Sequence, residues 1–410
     1  MNQKRLYNTI AGFAARPFRS ERDLLKHVVN EIVRNDSIAI KGGRIWQYVP
    51  QKESFRLIHQ TGVIEKLESG YEIPVSRYPI ALEVSERRSV VAKESDRYLR
   101  KMGIELYSAT GVGEKIRYGE KSLYQYVLAF NSDSMDETLI PGLNIISVAV
   151  TSLLSRQKME RQATLLAQDI DKARELQLSI LPEPAHRFSH YDIYGISIPE
   201  RIVGGDFFDY LYTDEEKDRL SIIIGDAASK GLKAAAQAMY VVGGIRMGIS
   251  YHTKISSLID RTNKLIHQAF SDEQFVSMFL AEFIDDPKGL VLYANAGHNS
   301  PLIYHVAENR IEILQATGQL LGPFPDEKVR VDHTYMHPGD VAVMYTDGIS
   351  EAVGHDDELY GEESIARVMT EKHTGSAEEI CKAIVEDCRR YARGSEEGDD
   401  KTVVVVKRST

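Results

Sequence analysis

Between residues 183 and 410 the chain repeats one local arrangement: an apolar run of strand character meets an aspartate, and small residues or a turn lie beside it. Asp226 closes Ser221-Ile222-Ile223-Ile224-Gly225 and precedes Ala227-Ala228-Ser229-Lys230-Gly231. Asp347 follows Val341–Thr346 and precedes Gly348. Asp206 lies in Val203-Gly204-Gly205-Asp206-Phe207-Phe208-Asp209-Tyr210, and Asp399-Asp400 stand just before the run Thr402–Lys407. A carboxylate at the end of a buried strand is held rigidly yet reaches solvent. Several that converge repel one another unless a cation neutralises them. Oxygen donors with no His or Cys beside them favour Mg²⁺ or Mn²⁺ over zinc. Small neighbours let a hydrated ion approach the backbone, and the Ala227 carbonyl is a further candidate ligand. Two such ions can activate a water for in-line attack on phosphorus. Singly, each Asp-Gly reads as a turn or a helix cap. Four strand-end acids in one region point to a metal site.

A chain of 410 residues exceeds one hydrophobic core, which rarely grows past roughly 250–300 residues, so at least two domains are expected. The pattern places them at 1–154, 155–182 and 183–410. In the first, Leu24, Leu25, Val28, Val29, Ile32 and Val33 recur at helical spacing, Ser37–Tyr48, Phe55–His59, Ser89–Val91 and Tyr124–Phe130 read as strands, and Pro79–Glu83 reads as a short helix. A helix opens at Asn144–Leu154. From Ser155 to Leu181 there is neither Gly nor Pro. There Met159, Ala163, Leu166, Ile170, Ala173, Gln177 and Ile180 alternate in steps of four and three, which is a heptad seam. It predicts a parallel coiled coil and hence a homodimer; a single amphipathic helix packed on its own domain remains the alternative. Beyond Pro182, strands joined mainly by turns, with helices in blocks at Ala234–Gly248, Ile255–Ala269 and Glu378–Tyr391, predict packed antiparallel sheets flanked by helices. The fold class is α+β.

The net charge is -10 and the pI about 5.7, without a long basic block, so nothing favours nucleic acid or an anionic membrane as partner. The N-terminus lacks the apolar core of a signal peptide, and no run of about 18 apolar residues is read, so no membrane-spanning segment and a cytoplasmic protein are expected. Cys381 and Cys388 lie seven apart on one predicted helix face, about 10 Å from each other, too far for a disulfide; reduced, half-buried thiols are expected.

With these acids on the page, residues 173–407 resemble the PPM (protein phosphatase 2C-like) superfamily in its SpoIIE-like branch. The motifs run in order: ARELQLSILP at 173–182, VGGDFFDY at 203–210, GDAASKG at 225–231, FVSMFLAEF at 275–283, YANAGHNSPL at 293–302, PGDVAVMYTDGISEA at 338–352 and GDDKTVVVV at 398–406. The resemblance implies an α-β-β-α sandwich and a serine/threonine protein phosphatase with two divalent ions, Mn²⁺ or Mg²⁺. It implies that Asp226 bridges both ions with help from the Ala227 carbonyl, that Asp206 holds one ion, and that Asp347 and Asp399 hold the other. Asp209 and Asp400 take supporting places. The implied substrate is a phosphoprotein such as an anti-anti-sigma factor. This branch usually carries Val-Ser-Gly-Lys-Gly after the bridging acid, where this chain has Ala227-Ala228-Ser229-Lys230-Gly231. His298 is weighed as a general acid against a turn histidine, the latter preferred; Arg201 and Lys230 are weak phosphate candidates. Residues 20–155 resemble a GAF sensor domain in pattern alone, without the Asn-Lys-Phe-Asp-Glu set of cyclic-nucleotide binders or a cysteine for a bilin. His59 is a strand histidine in preference to a haem ligand. The rival to an enzyme is a catalytically silent, dimeric phosphoprotein-binding switch.

Overall fold

A computed structural model describes residues 18–34, 40–94, 96–102, 104–132, 139–213, 216–251, 253–270, 274–355, 357–392 and 398–409. The chain divides into two compact units, Met1–Leu166 and Ala167–Thr410.

In the first unit, helix α1 (Glu21–Val33) starts at Ser20, whose hydroxyl accepts from the Asp23 amide, and buries Leu24, Leu25, Val28, Val29 and Ile32. Then come β1 (Ile40–Val49), β2 (Ser54–Gly62), β3 (Glu72–Pro74), α2 (Ile80–Arg87), β4 (Ser89–Lys93), α3 (Arg97–Lys101), β5 (Leu106–Tyr118), β6 (Lys121–Ser132) and the long helix α4 (Leu139–Ile180). The strands form one antiparallel sheet in the order β3-β2-β1-β6-β5-β4. Alternate side chains of each strand feed opposite faces. Trp46, Phe55 and Tyr107 pack with Val84 and Leu99 of α2 and α3. Ile45, Leu128 and Phe130 pack with α1 and with Leu143, Ile146, Val150 and Leu154 of α4.

The sequence pattern misses β5, because Gly111, Gly113 and Glu114 interrupt its alternation; a side chain on Gly111 would strike the Tyr124 ring. It also starts the helix late, at Asn144 rather than Leu139. By length and composition α4 is apolar enough to cross a membrane, with an 18-residue stretch of mean hydropathy 1.4. Asn, Gly, Ser and Thr interrupt that stretch, and one of its faces fills the sheet's core.

The second unit runs β7 (Ala185–Phe188), β8 (Tyr191–Ile198), β9 (Phe207–Tyr212), β10 (Arg219–Ala227), α5 (Leu232–Ile249), α6 (Ile255–Ala269), β11 (Val276–Ile284), β12 (Leu290–Ala296), β13 (Leu302–His305), β14 (Arg310–Ile313), β15 (Asp332–Tyr335), β16 (Val341–Tyr345), α7 (Asp347–Ser350), α8 (Gly361–Lys372), α9 (Ala377–Tyr391) and β17 (Lys401–Arg408). Two antiparallel sheets result, ordered β15-β12-β11-β10-β9 and β14-β13-β16-β17-β8-β7. Phe208, Ile222, Phe279 and Tyr293 of one meet Ile193, Met344 and Val404 of the other. Helices α5 and α6 cover the outer face of the first sheet, and α8 and α9 that of the second. The four layers are helix, sheet, sheet, helix. Cys381 and Cys388 are free and fully rather than half buried; burial pushes their thiols up to about 12 and about 11.

Strand pairing gathers the acids. Gly225, at the end of β10, pairs with Phe207 at the start of β9, and Tyr345, at the end of β16, pairs with Val403 at the start of β17. Asp206, Asp226, Asp347 and Asp399 therefore all belong to strand termini at one end of the sandwich.

Candidate metal centre

Asp206 is buried, and its Oδ2 accepts from the Thr346 hydroxyl at 2.7 Å. Burial, then the charges of Asp226 and Asp400, hold its carboxyl well above the usual range. Asp226 is pushed up to about 7, first by burial and then by Asp347, Asp399 and Asp400. Asp347 is raised by burial and then by Asp399 and Glu351. The acids thus lie within one another's field, and the cost of charging them together is what a cation removes. Asp399 is the exposed member, with Lys230 Nζ 3.8 Å from its Oδ2.

The backbone is shaped to match. A Cβ on Gly205 would sit 2.8 Å from the Ala227 carbonyl oxygen and 3.2 Å from Asp226 Oδ1, so only glycine lets the two acid-bearing loops come together. A Cβ on Gly348 would strike the Asp400 backbone. All-oxygen donors, glycines where the loops meet and mutually raised carboxyls fit a pair of hard divalent ions. Among the described residues no three such side chains already stand close enough to share one ion.

The remaining two acids have other employment. Asp400 accepts from the amides of Glu200 at 2.8 Å and Gly205 at 2.5 Å, fixing the loop before Asp206. Asp209 pairs with Arg246 Nε at 2.6 Å. His298 is 4% exposed, bonds Ser277 Oγ through Nδ1 at 2.7 Å, and is held near a pKa of about 3 because burial outweighs a favourable backbone contact with Tyr345. A ring neutral at pH 7 lacks the readily given imidazolium proton, and it does not line the cleft beside the acids. That cleft, about 480 Å³, is bordered by Arg201, Lys230, Asp347, Asp399 and Lys401.

Three supporting residues escape sequence reasoning. Thr346 joins Asp206 to the Thr402 amide, which donates to its hydroxyl at 3.0 Å. Gln177, near the end of α4, donates from Nε2 to the Gly204 carbonyl at 2.7 Å and accepts from the Gly204 amide at 3.2 Å. Arg246 donates to the Ile180 carbonyl at 2.6 Å while it holds Asp209. Only the placement of Thr346 beside Asp347 hinted at any of these.

Residues 216–409 match the family model described as Stage II sporulation protein E (SpoIIE). Phosphoserine phosphatase RsbU of Bacillus subtilis is 25% identical over 240 residues, 58% of this chain and 70% of RsbU. The C-terminal half of the chain is a SpoIIE/RsbU-like, PP2C-type phosphatase domain. Protein IcfG of Synechocystis sp. is 25% identical over 281 residues, 60% of this chain; the match spans under half of IcfG, 44%. The SiaA-PP2C domain of Pseudomonas aeruginosa superposes on the phosphatase domain with a TM-score of 0.52 at 20% identity, covering 60% of this chain and 98% of that one, so the fold is shared. No family match covers the N-terminal sheet domain.

Proposed function

We propose that the chain is a cytoplasmic, homodimeric signalling enzyme that hydrolyses phosphoserine or phosphothreonine on a partner protein. The observation that carries this is the strand pairing that brings Asp206, Asp226, Asp347 and Asp399 to one end of the sandwich, where Asp347 and Asp399 line an open cleft. Asp206, Asp226, the Ala227 carbonyl, Asp347 and Asp399 would hold two divalent ions. When bound, such ions supply the positive charge that acidifies a water and screens the phosphoryl oxygens. The chain's own part is to fix those oxygens: Thr346 orients Asp206, Asp400 pins the preceding loop, and Gly205 keeps the loops in contact. One water is consumed; its oxygen joins phosphorus, the P–O bond to the serine side chain breaks, and the serine oxygen takes a proton.

The likeness to RsbU suggests a small phosphoprotein regulator as substrate, of the anti-anti-sigma kind. Control is proposed to come from a GAF-like N-terminal domain through α4. Support lies in the last turns of that helix, where Gln177 grips the backbone of Gly204, two residues from Asp206. A small shift of α4 would reach the metal ligand without a flexible linker to absorb it. Met159 and Leu166 are 69% and 62% exposed, which suits a dimer seam. Gln177 and Ile180, assigned by the heptad spacing to the same seam, instead engage the phosphatase domain itself, Ile180 packing against the core beneath α5 and α6.

The test is Mn²⁺-dependent hydrolysis of a phosphoserine protein by the full chain and by Asp226→Asn. The expected loss in the variant is at least about 10³-fold, roughly 4 kcal/mol of barrier. Equal turnover by the two proteins refutes the reading. Binding of a phosphoprotein without turnover favours the silent switch instead.

A further inference from the structure

Among the described residues, three cations border the cleft beside the acids: Arg201, Lys230 and Lys401. They are held differently. Lys401 has a side chain only 14% exposed, with Nζ 3.2 Å from the Asp399 carbonyl and 3.8 Å from Glu200 Oε2. Lys230 has a side chain 70% exposed and touches only the outer edge of the centre, 3.8 Å from Asp399 Oδ2, itself 53% exposed. So exposed a pair is weak and breaks readily. The backbone around Lys230 leaves it room to move. Gly231 has φ +67, and nothing lies within 4 Å of where its side chain would begin. Lys230 also stands directly before α5, whose first turn receives no side-chain cap.

Charge balance gives this loose contact a consequence. Four ligand carboxylates bring four negative charges, and two divalent ions cancel them. A phosphoserine monoester then adds close to two more, which the centre by itself leaves uncompensated. Lys230 and an ion held by Asp399 would compete for the same carboxylate. We propose that Lys230 is a relay cation: it neutralises Asp399 in the metal-free chain and, displaced by the metal, turns into the cleft to bind the phosphoryl oxygens of the substrate. The relay rests on the metal-centre reading above. It makes metal uptake and substrate capture successive uses of one side chain, and no covalent step is added.

The test uses the full chain, Lys230→Gln and Lys230→Arg. Calorimetric titration with MnCl₂ alone, without substrate, reads the first half: Lys230→Gln binds manganese about two- to fivefold more tightly than wild type, having lost a competing cation. Hydrolysis of a phosphoserine peptide at saturating manganese reads the second. There kcat/KM of Lys230→Gln falls about 10- to 100-fold, mostly through KM, as expected for a lost charge-assisted contact, and Lys230→Arg restores most of it. A merely structural lysine would not tighten metal while weakening substrate. If the wild type is active and either change is missing in Lys230→Gln, the relay is overturned while the metal centre stands. If the wild type takes up no manganese, the metal centre itself falls and the relay with it.

Discussion

Asp206 and His298 are both buried, and burial moves each toward its uncharged form. Asp206 has a hydroxyl donor and neighbouring carboxylates, which make it a waiting ligand. His298 has one hydroxyl partner and no charge opposite, which makes it a packing element with a pH signature. Its folded pKa of about 3 lies below the unfolded value near 6.5, so the unfolded chain binds the extra proton in between. The contribution to stability is therefore whole above pH 6.5 and is lost as pH falls toward 3. At pH 5 the loss is about 2 kcal/mol, and urea unfolding should show the stability of wild type relative to His298→Gln falling by that amount between pH 7.5 and pH 5. A difference equal at both pH values contradicts a neutral, buried ring. The residue scale also marks where sequence reading stops. Strand-end aspartates are legible because an acid closing an apolar run is unusual. Thr346, Gln177 and Arg246 are not, since each acts on a partner far away in sequence, Thr346 on a residue 140 positions off.

At the scale of elements, long apolar or strictly periodic segments were readable, as were the short helix at Pro79–Glu83 and the short strand at Ser89–Val91, while β5, β7, β14 and β15 were not. The runs of β10, β16 and β17, and the amphipathic α1, α6 and α9, stand out by period alone. Strands β7, β14 and β15 have four residues each, too few to show alternation, and α8 begins at Gly361 without a capping side chain. The heptad spacing in α4 was visible, but not which way its lower turns face, because packing on the phosphatase domain and packing on a second helix use the same apolar period. That ambiguity has a test. Gln177→Ala removes two hydrogen bonds to Gly204, and manganese affinity should fall on the order of tenfold while helix content by circular dichroism stays constant. Unchanged affinity would mean that the end of α4 supports the domain without touching its chemistry.

For the molecule as a whole, two units share one chain: a six-stranded sheet domain and a four-layer phosphatase domain. The second was readable in outline because its motifs follow one another in a fixed order over more than 200 residues. The first carries only the rhythm of helices and strands, which many domains share. Everything proposed for the pair depends on the ions between the acids. The most direct measurement is an anomalous-difference map at the manganese edge from crystals of the full chain grown with MnCl₂. Two peaks are expected, ligated by Asp206, Asp226, Asp347 and Asp399 with the Ala227 carbonyl. Peaks bound elsewhere, or no peak among those carboxylates at saturating manganese, would contradict the account.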